Sequence, residues 1–262
     1  MENKFYKVGD TLSFKPNTQG IEANLEGGKV YNILVDQYTD AITIKESSDL
    51  QLPSKIYSSE KDSKFINKVL NTFDKSAKGF TGVMLSGLKG SGKTITAKRI
   101  AINSRLPIIL VTNWLSPRVL SKVVNNLGDL SVCFLFDEFD KISEDYNTSY
   151  LLQTLDGVAT NGKHLIVFTC NNIDGISDHL VDRCSRVRYW KDFDALPTST
   201  VLNVLEERLN DQKEAQSLCD FIMEHFNIVS FDNVITFVDE VNNNPTSTFE
   251  ELFEDMNLSE KE

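Results

Sequence analysis

Gly87-Leu-Lys-Gly-Ser-Gly-Lys-Thr94 follows an apolar strand candidate, Val83–Leu85, and opens a helical run through Ile95, Ile100 and Ala101. The stretch fits G-x-x-x-x-G-K-[ST], and a strand, a loop and a helix in that order are what the pattern needs to work. Gly87, Gly90 and Gly92 let main-chain N–H groups curl around an anion, and the start of the following helix adds its dipole. Lys93 is placed to reach the β- and γ-phosphates of a nucleotide, and the Thr94 hydroxyl to ligate Mg²⁺. The expected ATP-binding segment is therefore Gly87, Leu88, Lys89, Gly90, Ser91, Gly92, Lys93 and Thr94, with Ile95 behind it.

Downstream, Val132-Cys-Phe-Leu-Phe-Asp-Glu-Phe-Asp140 is an apolar run that ends abruptly in carboxylates. A buried strand with acids at its C-terminal end presents them in the crevice where open α/β sheets bind ligands. Asp137 is the expected Mg²⁺ ligand and Glu138 the group that polarises the attacking water. Two more apolar runs, Ile108–Val111 and Leu165–Thr169, alternate with helical segments, which predicts a parallel sheet covered by helices on both faces. Ser116-Pro117 has the chemistry of a helix start, a capping hydroxyl followed by proline.

Working outward, residues 1–50 show strand-like alternation at Tyr31, Ile33 and Val35 and a returning run Ala41–Ile44, which predicts a small β-rich N-terminal domain. Residues 51–194 form the α/β core. From 195 to 262 the strands stop, and Thr198–Asn210, Gln212–Phe226, Phe231–Asn242 and Thr246–Met256 read as the amphipathic helices of an all-α lid, with Ser230 and Thr246 as N-caps.

Composition narrows the function classes. The 262 residues are 40% hydrophobic and 25% charged, which is globular rather than disordered. The longest apolar run is five residues, Val132–Phe136, far short of a membrane span. With no apolar stretch resembling a leader near Met1, the expectation is a cytoplasmic protein without a membrane partner. The net charge of −11 disfavours broad nucleic-acid binding. Cys133, Cys170, Cys184 and Cys219 form no CxxC pair, and the three histidines lack metal-ligand spacing.

The phosphate loop and the acidic strand end together resemble those of the AAA+ family of P-loop ATPases. The resemblance implies a polar sensor at Asn171, in Phe168-Thr-Cys-Asn171, close to the γ-phosphate and the attacking water. It also implies arginine fingers in Ser177-Asp-His-Leu-Val-Asp-Arg183-Cys-Ser-Arg186, with Arg183 the first choice and Arg186 the second. An arginine that acts on a neighbour's nucleotide implies a homo-oligomeric ring, and the resemblance implies a hexamer or heptamer.

Within the family the chain is most similar to the Bcs-type ATPases over about residues 52–189. The likeness includes Leu-Pro-Ser-Lys-Ile-Tyr57, which implies that Ile56 and Tyr57 help bind the nucleotide, and Leu151-Leu-Gln-Thr-Leu-Asp-Gly-Val158. The function implied is ATP-driven remodelling or translocation of a macromolecule, with protein favoured over nucleic acid. A clamp-loader-like or helicase-loader-like ATPase is the alternative, since Arg183-Cys184 is similar to clamp loaders. Against it, no arginine follows Arg208. A nucleotide-binding scaffold without turnover is a third class, disfavoured by Lys93, Glu138 and Asn171 occurring together. Trp114, just after the second core strand, is a candidate partner anchor.

Overall fold

The computed structural model describes residues 5–14, 21–36, 41–112, 115–143, 162–173 and 187–261. The chain divides into two compact units, residues 1–54, 60–86 and 94–191 in one, and 55–59, 87–93 and 192–262 in the other.

The first unit is built on a sheet. Its strands are β1 (Phe5–Val8), β2 (Thr11–Ser13), β3 (Ile21–Ala23), β4 (Val30–Val35), β5 (Ile42–Glu46), β6 (Gly79–Gly87), β7 (Ile108–Val111), β8 (Cys133–Phe136), β9 (Lys163–Cys170) and β10 (Tyr189–Phe193), of which the end residues Gly87, Asp192 and Phe193 are counted with the second unit. They form one ten-stranded sheet in the order β10-β6-β9-β8-β7-β4-β5-β2-β1-β3. The pairs β6–β9, β9–β8 and β8–β7 are parallel, with Val83 level with Val167, Phe136 with Phe168 and Ile109 with Phe134.

Helices cover this sheet because its strands are apolar on both faces. Met84, Ile109, Val111, Phe134, Phe136, Ile166 and Phe168 join one buried cluster with Leu120, Val123, Val124 and Leu127 of α3 (Pro117–Leu127). Those four helical residues recur at the spacing of a single helix face. Ser116 caps α3 by accepting from the Val119 N–H at 3.3 Å, as its sequence predicts. The intervening strand residues Val83, Leu85, Leu165 and Val167 alternate onto the opposite face and are equally buried. Helix α1 (Glu60–Lys75), which buries Ile66, Val69 and Phe73, packs on β9. The α/β P-loop core expected from the sequence is present.

The N-terminal strands differ from the sequence expectation of a separate small domain ending near residue 50. β4 pairs parallel with β7, Val30 with Ile108 and Asn32 with Leu110, and β5, β2, β1 and β3 continue the same sheet antiparallel. Without β4, β7 would be an unpaired edge with its N–H and C=O groups exposed. Phe5, Leu12, Leu25, Tyr31 and Ile44 complete the arrangement by burying in the same cluster as the core.

The second unit is helical. Its helices are α5 (Thr198–Arg208), α6 (Ala215–His225), α7 (Phe231–Asn243) and α8 (Phe249–Asp255), which close over Val204, Leu205, Leu218, Ile222, Phe237 and Val238. Ser230 caps α7, accepting from the Asn233 N–H at 3.3 Å. The cap of α8 is Thr248, not Thr246 as expected. Only Thr248 has a glutamate three residues on, and it exchanges hydrogen bonds with Glu251 in a capping box. This unit also contains Lys55–Ser59 and the loop Gly87–Lys93.

Candidate active site

The phosphate loop is shaped by main-chain conformation. Gly87 and Gly90 have φ of 121° and 75°, which L side chains rarely adopt. A Cβ on Gly87 would run into the Phe193 backbone, and one on Gly90 would lie 3.0 Å from Ser230 Oγ and Asp232 Cβ. Two main-chain bonds moor the loop inside its unit. Leu88 N–H donates to Phe193 O, and Phe231 N–H donates to Gly90 O, each at 3.0 Å.

Lys93 begins α2 (Lys93–Asn103) and is 5% exposed. Its Nζ donates to the carbonyls of Gly87 at 2.8 Å and Leu88 at 2.6 Å, and Ser91 Oγ donates to Leu88 O at 2.6 Å. The loop's cation is thus held at the loop's own mouth. Lys89 is exposed, and Ile56, Tyr57 and Ile95 are half-buried. The Tyr57 ring stacks on Phe231 with centroids 6.1 Å apart, and Lys55 pairs with Glu207.

The acids belong to the first unit and are held by side chains. Asp137 Oδ1 accepts from Thr94 Oγ1 at 3.1 Å and from Thr169 Oγ1 at 2.6 Å. Thr169 Oγ1 also accepts the Glu138 N–H at 2.8 Å. Glu138 has φ of 52°, a left-handed conformation that costs an L-residue about 1–3 kcal/mol. Its carboxylate takes a hydrogen bond from Lys141 Nζ at 2.8 Å. The loop that carries the acids continues into α4 (Phe139–Ser143), where Asp140 Oδ1 accepts the Asn171 N–H at 3.1 Å. Asn171 is therefore tied to the acidic loop through its main chain.

Thr94 and Asp137 supply a hydroxyl and a carboxylate, hard oxygen donors of the kind Mg²⁺ prefers. Their direct contact shows that the end of β8 lies within ligand reach of the start of α2. These donors fit the metal that a bound nucleotide would carry.

The sequence reading missed Thr169, Asp140 and Lys141. Thr169 closes the run Leu-Ile-Val-Phe-Thr169, and its place beside Asp137 depends on the β8–β9 register, in which Phe136 pairs with Phe168. Arg183, Arg186 and Trp114 lie outside the described residues, as does the segment Leu151–Val158.

Residues 83–191 match the model of the ATPase family associated with various cellular activities (AAA). No curated protein matches the chain. The family match spans the phosphate loop, Asp137, Glu138, Asn171, Arg183 and Arg186, and it supports a generic AAA+ ATPase on an α/β P-loop core.

Proposed function

We propose that this chain hydrolyses ATP at the loop Gly87–Thr94 and the acids Asp137 and Glu138, in a homo-oligomeric ring that remodels or moves a partner macromolecule. The observation that carries the site is the hydrogen bond from Thr94 Oγ1 to Asp137 Oδ1, between residues 43 apart in sequence. It joins the Thr94 hydroxyl to the first acid after β8, both within the first unit. When bound, Mg²⁺ supplies positive charge to the phosphates that leave or are attacked.

The chain's own groups account for the rest. The N–H groups of the loop and Lys93 hold the phosphates, once Lys93 Nζ leaves the carbonyls of Gly87 and Leu88. Glu138 accepts the proton of the attacking water, once its carboxylate is released from Lys141. Asn171 orients that water or the γ-phosphate. Tyr57, stacked on Phe231, and Ile56 bind the remainder of the nucleotide.

Arg183 is assigned the transition-state charge of a neighbouring subunit, with Arg186 second in line. A ring follows from a finger that acts in trans, and six or seven subunits is the size that the AAA+ resemblance implies. A protein is the favoured partner, from the likeness to Bcs-type ATPases and the net charge of −11. An ATPase stimulated by DNA and suppressed by salt would favour the loader-like alternative instead.

The test mixes two inactive proteins, Arg183→Ala and Glu138→Gln, after subunit exchange and assembly have been demonstrated. At a mixed interface one subunit supplies Glu138 and its neighbour supplies Arg183. Activity above that of either protein alone is the expected result. No recovery moves the finger to Arg186, and the same failure there removes the ring mechanism.

A further inference from the structure

We propose that Thr169 is the positioning residue of the acids: its hydroxyl orients the Asp137 carboxylate and fixes the Glu138 peptide at once, so that the general base is aimed from β9. The proposal rests on the reading of Asp137 and Glu138 as the hydrolytic carboxylates.

The geometry is that of a relay. Thr169 is 1% exposed, so its hydroxyl has no access to bulk water and must be satisfied by protein. A hydroxyl carries one proton and two acceptor sites. The proton goes to Asp137 Oδ1 at 2.6 Å, a length typical of a bond to an ionised acceptor. An acceptor site takes the Glu138 N–H at 2.8 Å. Each bond polarises the oxygen in the sense that favours the other.

The second bond determines where the Glu138 side chain points. Glu138 sits at φ 52°, where an L-residue stays only if its surroundings hold it there. The Thr169 oxygen holds the N–H of that peptide, which sets the direction in which the side chain leaves the main chain. The rest of the loop is tied to the same strand, since Asp140 accepts the Asn171 N–H at 3.1 Å. Thr169 thus reaches the Asp137 carboxylate and the Glu138 peptide together, and it does so from a neighbouring strand whose register pairs Phe136 with Phe168.

The test uses the full chain with Thr169→Val, which keeps the shape and deletes the hydroxyl, and Thr169→Ser, which keeps the hydroxyl and deletes a methyl. Amide hydrogen exchange at Glu138 is read against Leu135 and Val167 as internal references. In Thr169→Val the Glu138 amide should exchange at least about tenfold faster while both references stay protected, because its acceptor is gone. In Thr169→Ser it should stay slow.

Turnover should follow the same split. Thr169→Val should lose about 10- to 100-fold in kcat, the scale of misplacing a reacting group by about 1 Å, with KM for ATP within about threefold. Thr169→Ser should restore most of it. Unchanged Glu138 exchange in Thr169→Val overturns the proposal, as does accelerated exchange with wild-type kcat. Equal losses in both variants also overturn it, because the effect would then come from shape rather than from the hydroxyl. Should Glu138→Gln turn over ATP like the wild type, the hydrolytic reading fails on its own, and the exchange comparison still decides whether Thr169 sets the Glu138 peptide.

Discussion

Strand β9 buries a polar side chain near each end and treats the two in opposite ways. At its C-terminal end Thr169 both donates and accepts, to Asp137 and from Glu138. At its N-terminal end His164 is fully buried, and neither ring nitrogen has a hydrogen-bond partner among the described residues. The imidazole lies instead beside the rings of Phe80 and Phe134, with centroids 5.2 Å and 5.9 Å away. The same strand thus satisfies one buried polar group at the acidic loop and leaves the other, among the described residues, as a liability. A buried hydroxyl that completes its bonds contributes to order, whereas a buried ring without partners costs stability and must remain neutral.

The comparison is broken most sharply at the acid end. Asp137→Asn removes the charge on which the Thr94 and Thr169 hydroxyls converge. Mg²⁺-dependent ATP turnover should fall by at least about 100-fold, the scale seen when a preorganised electrostatic group is lost. The variant should still melt cooperatively, since Thr169 can donate to the amide oxygen. A steady-state ATPase assay across Mg²⁺ concentrations, with a thermal melt alongside, checks both halves.

The other end should respond to pH rather than to nucleotide. Burial lowers the His164 pKa from 6.5 to about 4, so the folded chain keeps the ring neutral where the unfolded chain protonates it. Between these values the unfolded state binds more protons. Stability is therefore complete above the unfolded pKa and is lost as pH falls from about 6.5 toward 4, by about 3 kcal/mol in full. His164→Leu should flatten this dependence, removing about 2 kcal/mol of the loss between pH ~7.5 and pH ~5 in urea titrations, with turnover at neutral pH unchanged. Combined with Thr169→Val, the stability effects should add to within about 0.5 kcal/mol, because the two sites share no partner among the described residues. An unaltered pH slope in His164→Leu would remove the His164 half of the comparison.

What the sequence revealed, and what it concealed, follows the range of the interactions involved. The phosphate loop was legible because its shape is a local matter: glycines at positive φ, then a lysine and a threonine at the start of a helix. The core strands were legible as apolar runs, and Ser116 and Ser230 as caps, for the same reason. The pairing of β4 with β7 was not, because alternation in Tyr31, Ile33 and Val35 announces a strand without naming its neighbour. Thr169 escaped because its role depends on β8 and β9 being in register, which no window of one strand contains. Thr248 caps the last helix in place of the expected Thr246, and Glu251, three residues after Thr248, is the local signal for it. The mooring of Gly90 to Phe231 joins residues too distant in sequence for any local pattern to show.

Glu138 is proposed as the general base of an ATPase whose nucleotide is held by other residues. The most direct measurement compares ATP binding and turnover in Glu138→Gln. The amide cannot accept the water's proton, but Lys93, Thr94 and Asp137 are untouched. ATP affinity within about threefold of wild type, with turnover reduced by at least about 100-fold, is the predicted result. Turnover at the wild-type rate, with the variant folded and ATP bound, would contradict it.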